Sequence, residues 1–148
     1  MLNKQDVTEN IRTPEVTMAA SAVSARPVVR QYLLNVQHEL GRKKHAVFEG
    51  RDMGTVVFPD ADLKFYLDAS VEVRAMRRFD EFKDQNRQSI KEVEADIRCR
   101  DENDSTRAVA PLRAAEDAIV IDATELSVEQ VVETMLKHVQ RKDSNATG

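Results

Sequence analysis

With 148 residues, 41% of them hydrophobic and 32% charged, the chain is long enough for one domain with its own core and has the balance of a soluble globular protein. A formal charge of −4 excludes bulk binding to a nucleic-acid polymer, so an anionic ligand has to be met by a local cluster of arginines. No apolar run reaches the length of a membrane span, and a single cysteine, Cys99, excludes an internal disulfide; a reducing cytoplasm is the expected setting.

The first residues, MLNKQDVTENIRTPEV, carry neither an apolar core nor a cleavage pattern, so no export signal is expected. From Val7 to Leu40 the pattern is helical: Val29, Tyr32, Leu33, Val36 and Leu40 recur on one helix face. Pro27 divides this region, and Gly41 with the basic residues Arg42, Lys43 and Lys44 suits a helix C-terminus. HAVFEG, from His45 to Gly50, reads as a short buried strand. LKFYLDA, from Leu63 to Ala69, reads as a second, and AIVID, from Ala118 to Asp122, as a third. Each is nearly continuous in apolar character, the pattern of parallel strands covered on both faces.

Ser70 is placed to cap a helix running through Val73, Met76 and Phe79. Ile90, Val93 and Ile97 resume a helical period after the polar stretch KDQNRQS. In the last helix Ser127 and Gln130 form a capping box ahead of the stripe Val128, Val131, Val132, Met135, Leu136 and Val139. The tail RKDSNATG is polar and expected to fray. Strands alternating with helices predict an α/β fold with a parallel sheet. Such sheets place ligands beyond the carboxyl ends of their strands. Glu49, Gly50, Arg51 and Asp52 follow one such end, and Asp68 and Asp122 mark two others.

Several residues in those places suit the handling of a phosphate. Arg51 offers a bidentate fork, and Asp52 an acceptor for an amine or a ribose hydroxyl; the plain alternative is a surface ion pair in a turn. Gly50 allows close approach of a ligand to the backbone. Arg100, Asp104 and Arg107 recur at helical spacing, putting two guanidiniums and a carboxylate on one face. Such a face attracts a phosphate, or is a salt-bridged solvent face. Arg74, Arg77 and Arg78 pose the same choice between a polyphosphate clamp and an exposed helix surface. His38, His45 and His138 lack ligand spacing, so no histidine metal site is assigned, and Cys99 is read as a small apolar residue.

FEGRDMGTVVFPDADLKFYLDAS together with RDENDSTRAVAPLRAAEDAIVIDATELSVEQVVE resembles bacterial cytidylate kinase, and VTENIRTPEVTMAASAVSARPVVRQYLL resembles the helical segment before that strand. The likeness runs from about Val7 to Lys142. It implies a P-loop kinase-like parallel sheet with flanking helices and a helical lid, and transfer of a phosphate from ATP to CMP or dCMP with Mg²⁺. It implies that Ser21, Arg30 and Asp52 recognise cytosine, that Arg51 and Arg107 bind the CMP phosphate, and that Arg100 and Asp104 contact ribose and phosphate. Glu49 stands where the family has an acid near the magnesium, reached through water and not as a direct ligand. Arg74, Arg77 and Arg78 fall at the start of the lid over ATP.

The family also begins with a strand and a phosphate loop of the form G-x-x-x-x-G-K-[ST], and no such string occurs here, where the glycines number four. The expectation is therefore a single partial domain over residues 1–148. Residues 7–45 form acceptor-side helices, 46–69 a strand-turn-strand, 70–107 the lid region, and 118–142 the last strand and helix. The missing first strand is expected centrally, between HAVFEG and LKFYLDA, leaving an apolar gap, unpaired backbone and a tendency to self-associate. Without the loop the chain is expected to be inactive alone. It is read as a truncated product or partial reading frame, with a split kinase awaiting a complementing chain or a non-catalytic CMP-binding module as alternatives.

Overall fold

Two prolines set the helical start of the chain. Pro14 opens α1 (Pro14–Ser24), where Thr13 Oγ1 accepts from Val16 N at 3.3 Å, and Pro27 opens α2 (Pro27–Gly41). Proline suits the first helical turn because its missing N–H has no partner there anyway. In the computed structural model, residues 3–8, 10–43, 45–81 and 88–146 are described. The chain forms two compact units, residues 1–48 and 49–148. The first is helical: a short 3-10 turn at Asn10–Arg12, then α1 and α2. The helix ends expected around Pro27 and Gly41 are found, while Lys44 of the basic triplet lies outside the described residues.

The second unit is α/β. Its order is β1 (Phe65–Asp68), α3 (Val71–Glu81), α4 (Ile90–Thr106), β2 (Ile119–Asp122) and α5 (Val128–Ala146). β1 and β2 pair in parallel, Phe65 opposite Ile119 and Asp68 opposite Asp122. Ser70 caps α3 as expected, its Oγ accepting from Val73 N at 3.3 Å. The Ser127–Gln130 capping box opens α5, with Ser127 N donating to Gln130 Oε1 at 2.8 Å. The rings of His138 on α5 and Phe65 on β1 meet in a T-shaped contact, centroids 6.1 Å apart, which brings α5 against β1. α3 packs on α4. Ala75, Val93, Val57, Ile121, Ala123 and Ala110 form a small buried core. Residues 82–87, most of the polar stretch between α3 and α4 within the expected lid region, lie outside the described residues, as do Thr147 and Gly148 of the tail.

The strand expected at His45–Gly50 is not found: among the described residues this run belongs to no strand, and Val47 is 100% exposed. A strand is defined by its ladder, and apolar character alone does not supply one. Residues beyond it form a wide π-type turn, Met53–Val57, that the sequence pattern does not announce. Asp52 O accepts there from Val56 N at 2.9 Å and from Val57 N at 3.2 Å. Gly54 lets this turn lie against the Lys64 stem and Ala115, where an added Cβ would sit 3.3 Å from Lys64 Cδ. At Gly50 the close neighbour is the Met53 thioether side chain, within 2.7 Å of where a Cβ would be.

Candidate functional site: an arginine pocket at the end of the sheet

The π-type turn begins immediately after Arg51 and Asp52, so its geometry sets where both side chains start. Asp52 is buried, at 8% exposure. Arg51 reaches α4, where Nη1 lies 2.7 Å from Asp104 Oδ2 and 3.2 Å from Asp101 Oδ1. The expected face on α4 is real: Arg100 and Asp104 are one turn apart, and Arg107 follows just past the helix end. Asp104 is buried to 6% exposure, a depth at which a carboxylate needs cations around it. Arg51, Arg100 and Arg107 surround it, the last two at 3.9 and 3.4 Å.

The loop after α4 closes back on the same acid. Leu112 N donates to Asp104 O at 2.8 Å, and Arg107 Nε donates to Ala110 O. Ala110 takes φ 52°, in the left-handed region, to make that return. α3 contributes from the other side. Arg74 Nε donates to Ala69 O at 2.9 Å and its Nη1 pairs with Asp101 Oδ2 at 2.5 Å. Arg77 is spent differently: Nη2 donates to Ala123 O at 2.7 Å and Leu126 O at 3.1 Å, tying α3 to the turn after β2.

Arg51, Arg74, Arg78, Ile97, Arg100 and Asp101 line a cavity of about 200 Å³. A wider groove of about 370 Å³ runs beside Lys137, Gln140, Arg141 and Ser144, but these all belong to α5, and nothing from another element converges there. The arginine pocket draws on the turn, α3 and α4 at once, which is what a binding site requires. Burial foremost, then repulsion from Arg51, holds the Arg100 guanidinium below its ordinary pKa; attraction from Asp104 opposes this in part. Among the described residues four arginines line the pocket against Asp101 and the adjoining Asp104, so it carries more positive charge than these acids neutralise.

Its hydrogen bonding is incomplete in the same sense. Among the described residues, the buried atoms Arg100 Nε, Arg107 Nη2 and Asp104 Oδ2 have no aligned hydrogen-bond partner. Arg51 Nη1 is close enough to Asp104 Oδ2 for strong attraction but is not aligned as a donor. Buried guanidinium N–H groups without acceptors are unfavourable, and an anionic oxygen would satisfy them.

Of the residues singled out by sequence, Arg51, Arg74, Arg78, Arg100, Asp104 and Arg107 are thus brought together or placed beside one another. Ser21 and Arg30 are carried by α1 and α2 of the first unit, both half-buried. Glu49 is exposed at the start of the second unit. Among the described residues no group of at least three His, Cys, Asp or Glu side chains is placed to hold a metal ion. Sequence reasoning overlooks Asp101, whose neighbour in the chain, Arg100, draws the eye instead. It also overlooks buried Lys64, whose Nζ bonds both Asp117 oxygens at 2.8 Å and Pro59 O. A lysine inside the apolar run that leads into β1 was the legible signal there, because a buried ammonium requires an acid.

A sequence model of the cytidylate kinase family matches residues 1–141. The cytidylate kinase of Geobacter sulfurreducens is 48% identical over 147 residues, which is 99% of this chain and 63% of that protein. That of Pseudomonas aeruginosa is 49% identical over 146 residues, 96% of this chain and 62% of its own length. That of Carboxydothermus hydrogenoformans is 46% identical over 144 residues, 97% of this chain and 65% of its own length. This chain therefore spans a little under two thirds of each of these relatives. With a match that extends over nearly all of its residues, it belongs to the cytidylate kinase family.

Proposed function

We propose that this chain supplies the acceptor-binding and lid parts of a cytoplasmic kinase that transfers a phosphoryl group from ATP to CMP or dCMP, both units being parts of one such domain. The observation that carries this reading is the pocket in which Arg51, Arg74, Arg78 and Arg100 meet beside the buried Asp104. Arg51 and Arg107 hold the phosphate of the acceptor nucleotide, and Arg100 with Asp104 reaches its phosphate and ribose. The family resemblance assigns cytosine recognition to Ser21, Arg30 and Asp52, Asp52 suiting the exocyclic amine and the other two suiting the ring acceptors. Polar readers of this kind reject a wrong base strongly, because it leaves them buried without partners. Arg74 and Arg78 stand at the start of the lid over the donor, Arg74 beside the phosphate that Arg51 holds.

The attacking group is a phosphate oxygen that is already anionic, so no strong base is required. The work of the side chains is to align acceptor and donor and to neutralise the charge that collects as the γ-phosphoryl moves. Magnesium belongs with the donor nucleotide in this chemistry; among the described residues no group of three or more His, Cys, Asp or Glu side chains could hold it, and Glu49 would meet it through water. The sequence contains no G-x-x-x-x-G-K-[ST] loop, whose backbone N–H groups cradle donor phosphates. Turnover by this chain alone is therefore expected to be absent, while acceptor binding persists.

A second reading, a kinase completed by another polypeptide, is favoured by the exposed apolar residues Leu67 and Val120 of the two strands, 52% and 61% exposed. Titration of the chain with CMP and with ATP, alongside a CMP-dependent ATP-consumption assay, tests both. The expected result is CMP binding without ATP consumption. Binding of neither nucleotide would sink the acceptor reading, and activity that returns on mixing with a polypeptide bearing the phosphate loop would establish the second.

A further inference from the structure

Nothing in the sequence singles out Asp101, yet it is the acid in the wall of the pocket, and its two oxygens go to two different arginines. Oδ1 accepts from Arg51 Nη1 at 3.2 Å, and Oδ2 from Arg74 Nη1 at 2.5 Å. Arg51 comes from the segment before the π-type turn and Arg74 from α3, and those contacts span 50 and 27 residues of chain. The Asp101 side chain is about a quarter exposed, and those of Arg51 and Arg74 about a third. Such pairs are too wet to contribute much stability on their own. Their effect is geometric: a planar carboxylate joined to two planar guanidiniums fixes the direction of both.

We propose that Asp101 is a positioning residue, which holds the guanidiniums of Arg51 and Arg74 toward one anion and so links the placement of α3 to occupancy of the pocket. This rests on the pocket being a phosphate site but not on the cytidine reading. A single phosphate between the two arginines meets both forks already aimed. Because Arg74 also grips Ala69 O at the start of α3, a pull on its guanidinium is a pull on the helix end.

The test is a titration of the full chain with inorganic phosphate, followed through the guanidinium Nε NMR signals of Arg51 and Arg74 and repeated with CMP. In the unsubstituted chain both signals move with one midpoint. Asp101→Asn keeps the size of the side chain but offers one acceptor oxygen in place of two, so only one arginine is held. Phosphate then binds about tenfold more weakly, the scale of one lost charge-assisted hydrogen bond, and the Arg74 signal no longer follows that of Arg51. Asp101→Glu restores two acceptors and recovers most of the loss.

Coulomb's law alone gives the opposite sign, since removing a negative charge beside an anion tightens binding. Unchanged or tighter phosphate binding in Asp101→Asn overturns the proposal, as does an unsubstituted chain that binds no phosphate. If Asp101→Asn does not fold, the Glu variant and the unsubstituted midpoints decide: separate midpoints for Arg51 and Arg74 overturn it. CMP that binds no tighter than phosphate defeats the cytidine reading and leaves the positioning role standing.

Discussion

Asp104 shows how one carboxylate can organise a site that is meant for anions. It sits at 6% exposure with Arg51, Arg100 and Arg107 around it, so it offsets part of their mutual repulsion while leaving donors over for a ligand. Removing its charge leaves several guanidiniums crowded without a counter-ion. Breaking a fully buried pair typically costs roughly 3–5 kcal/mol. Because Arg51 and Arg100 keep contact with solvent, with side chains 31% and 40% exposed, the expected loss for Asp104→Asn is smaller, about 2 kcal/mol. Urea unfolding with and without phosphate checks it: added phosphate should stabilise the variant more than the parent, and equal stabilisation would contradict this account. The sequence displays Arg100, Asp104 and Arg107 as a helical face because their neighbourhood is local. It hides the part of Asp101, whose partners lie far off in the chain and become visible only when the turn and α3 are in place.

At the scale of elements, local chemistry accounts for most of what formed. α4 opens on a complete capping box. Ser89 Oγ accepts from Glu92 N at 3.4 Å, and Glu92 Oε2 accepts from Ser89 N at 2.7 Å. Ser89→Ala should cost about 1 kcal/mol and speed amide exchange in the first turn of α4. The Ser89 backbone N–H, then its hydroxyl, holds the Glu92 carboxyl below its ordinary value of 4.5. A carboxylate depressed in the folded state contributes stability above its unfolded value and loses it as pH falls through the folded one. Glu92→Gln should therefore flatten the acid limb of stability below about pH 4.5, and an unchanged limb would remove the capping box from that account. Ser89 and Glu92 spell S-x-x-E, a start overlooked beside the period of Ile90, Val93 and Ile97, whereas the box at Ser127 reads directly. The loss of the strand expected at His45–Gly50 was not readable, since apolar character selects residues for a sheet but only a ladder makes them a strand.

For the molecule as a whole, each unit presents apolar side chains outward. In the second, Val120, Leu67, Val128, Val132 and Leu136 are exposed; in the first, Tyr32, Leu33, Val36 and Leu40. Helix faces and sheet surfaces of this composition associate in water unless covered. Sedimentation of the isolated chain should accordingly rise with concentration, and a polypeptide matching the part of the relatives that this chain does not span should suppress the rise. A monomer at every concentration would contradict the expectation. The helices could be read because their stripes are periodic, whereas no periodicity tells which stripe finds a cover.

The parallel pairing of β1 with β2 also sets an order of events. Ser70 N donates to Thr124 Oγ1 across 54 residues of chain, and α3 and α4 lie inside that span. Closing so long a loop is entropically unfavourable unless its interior is already compact. The packed pair of α3 and α4 is therefore the expected nucleus, with the two strands pairing late. Substitutions at Ala75 or Val93 accordingly act on the rate of folding, and substitutions at Ile121 on the rate of unfolding.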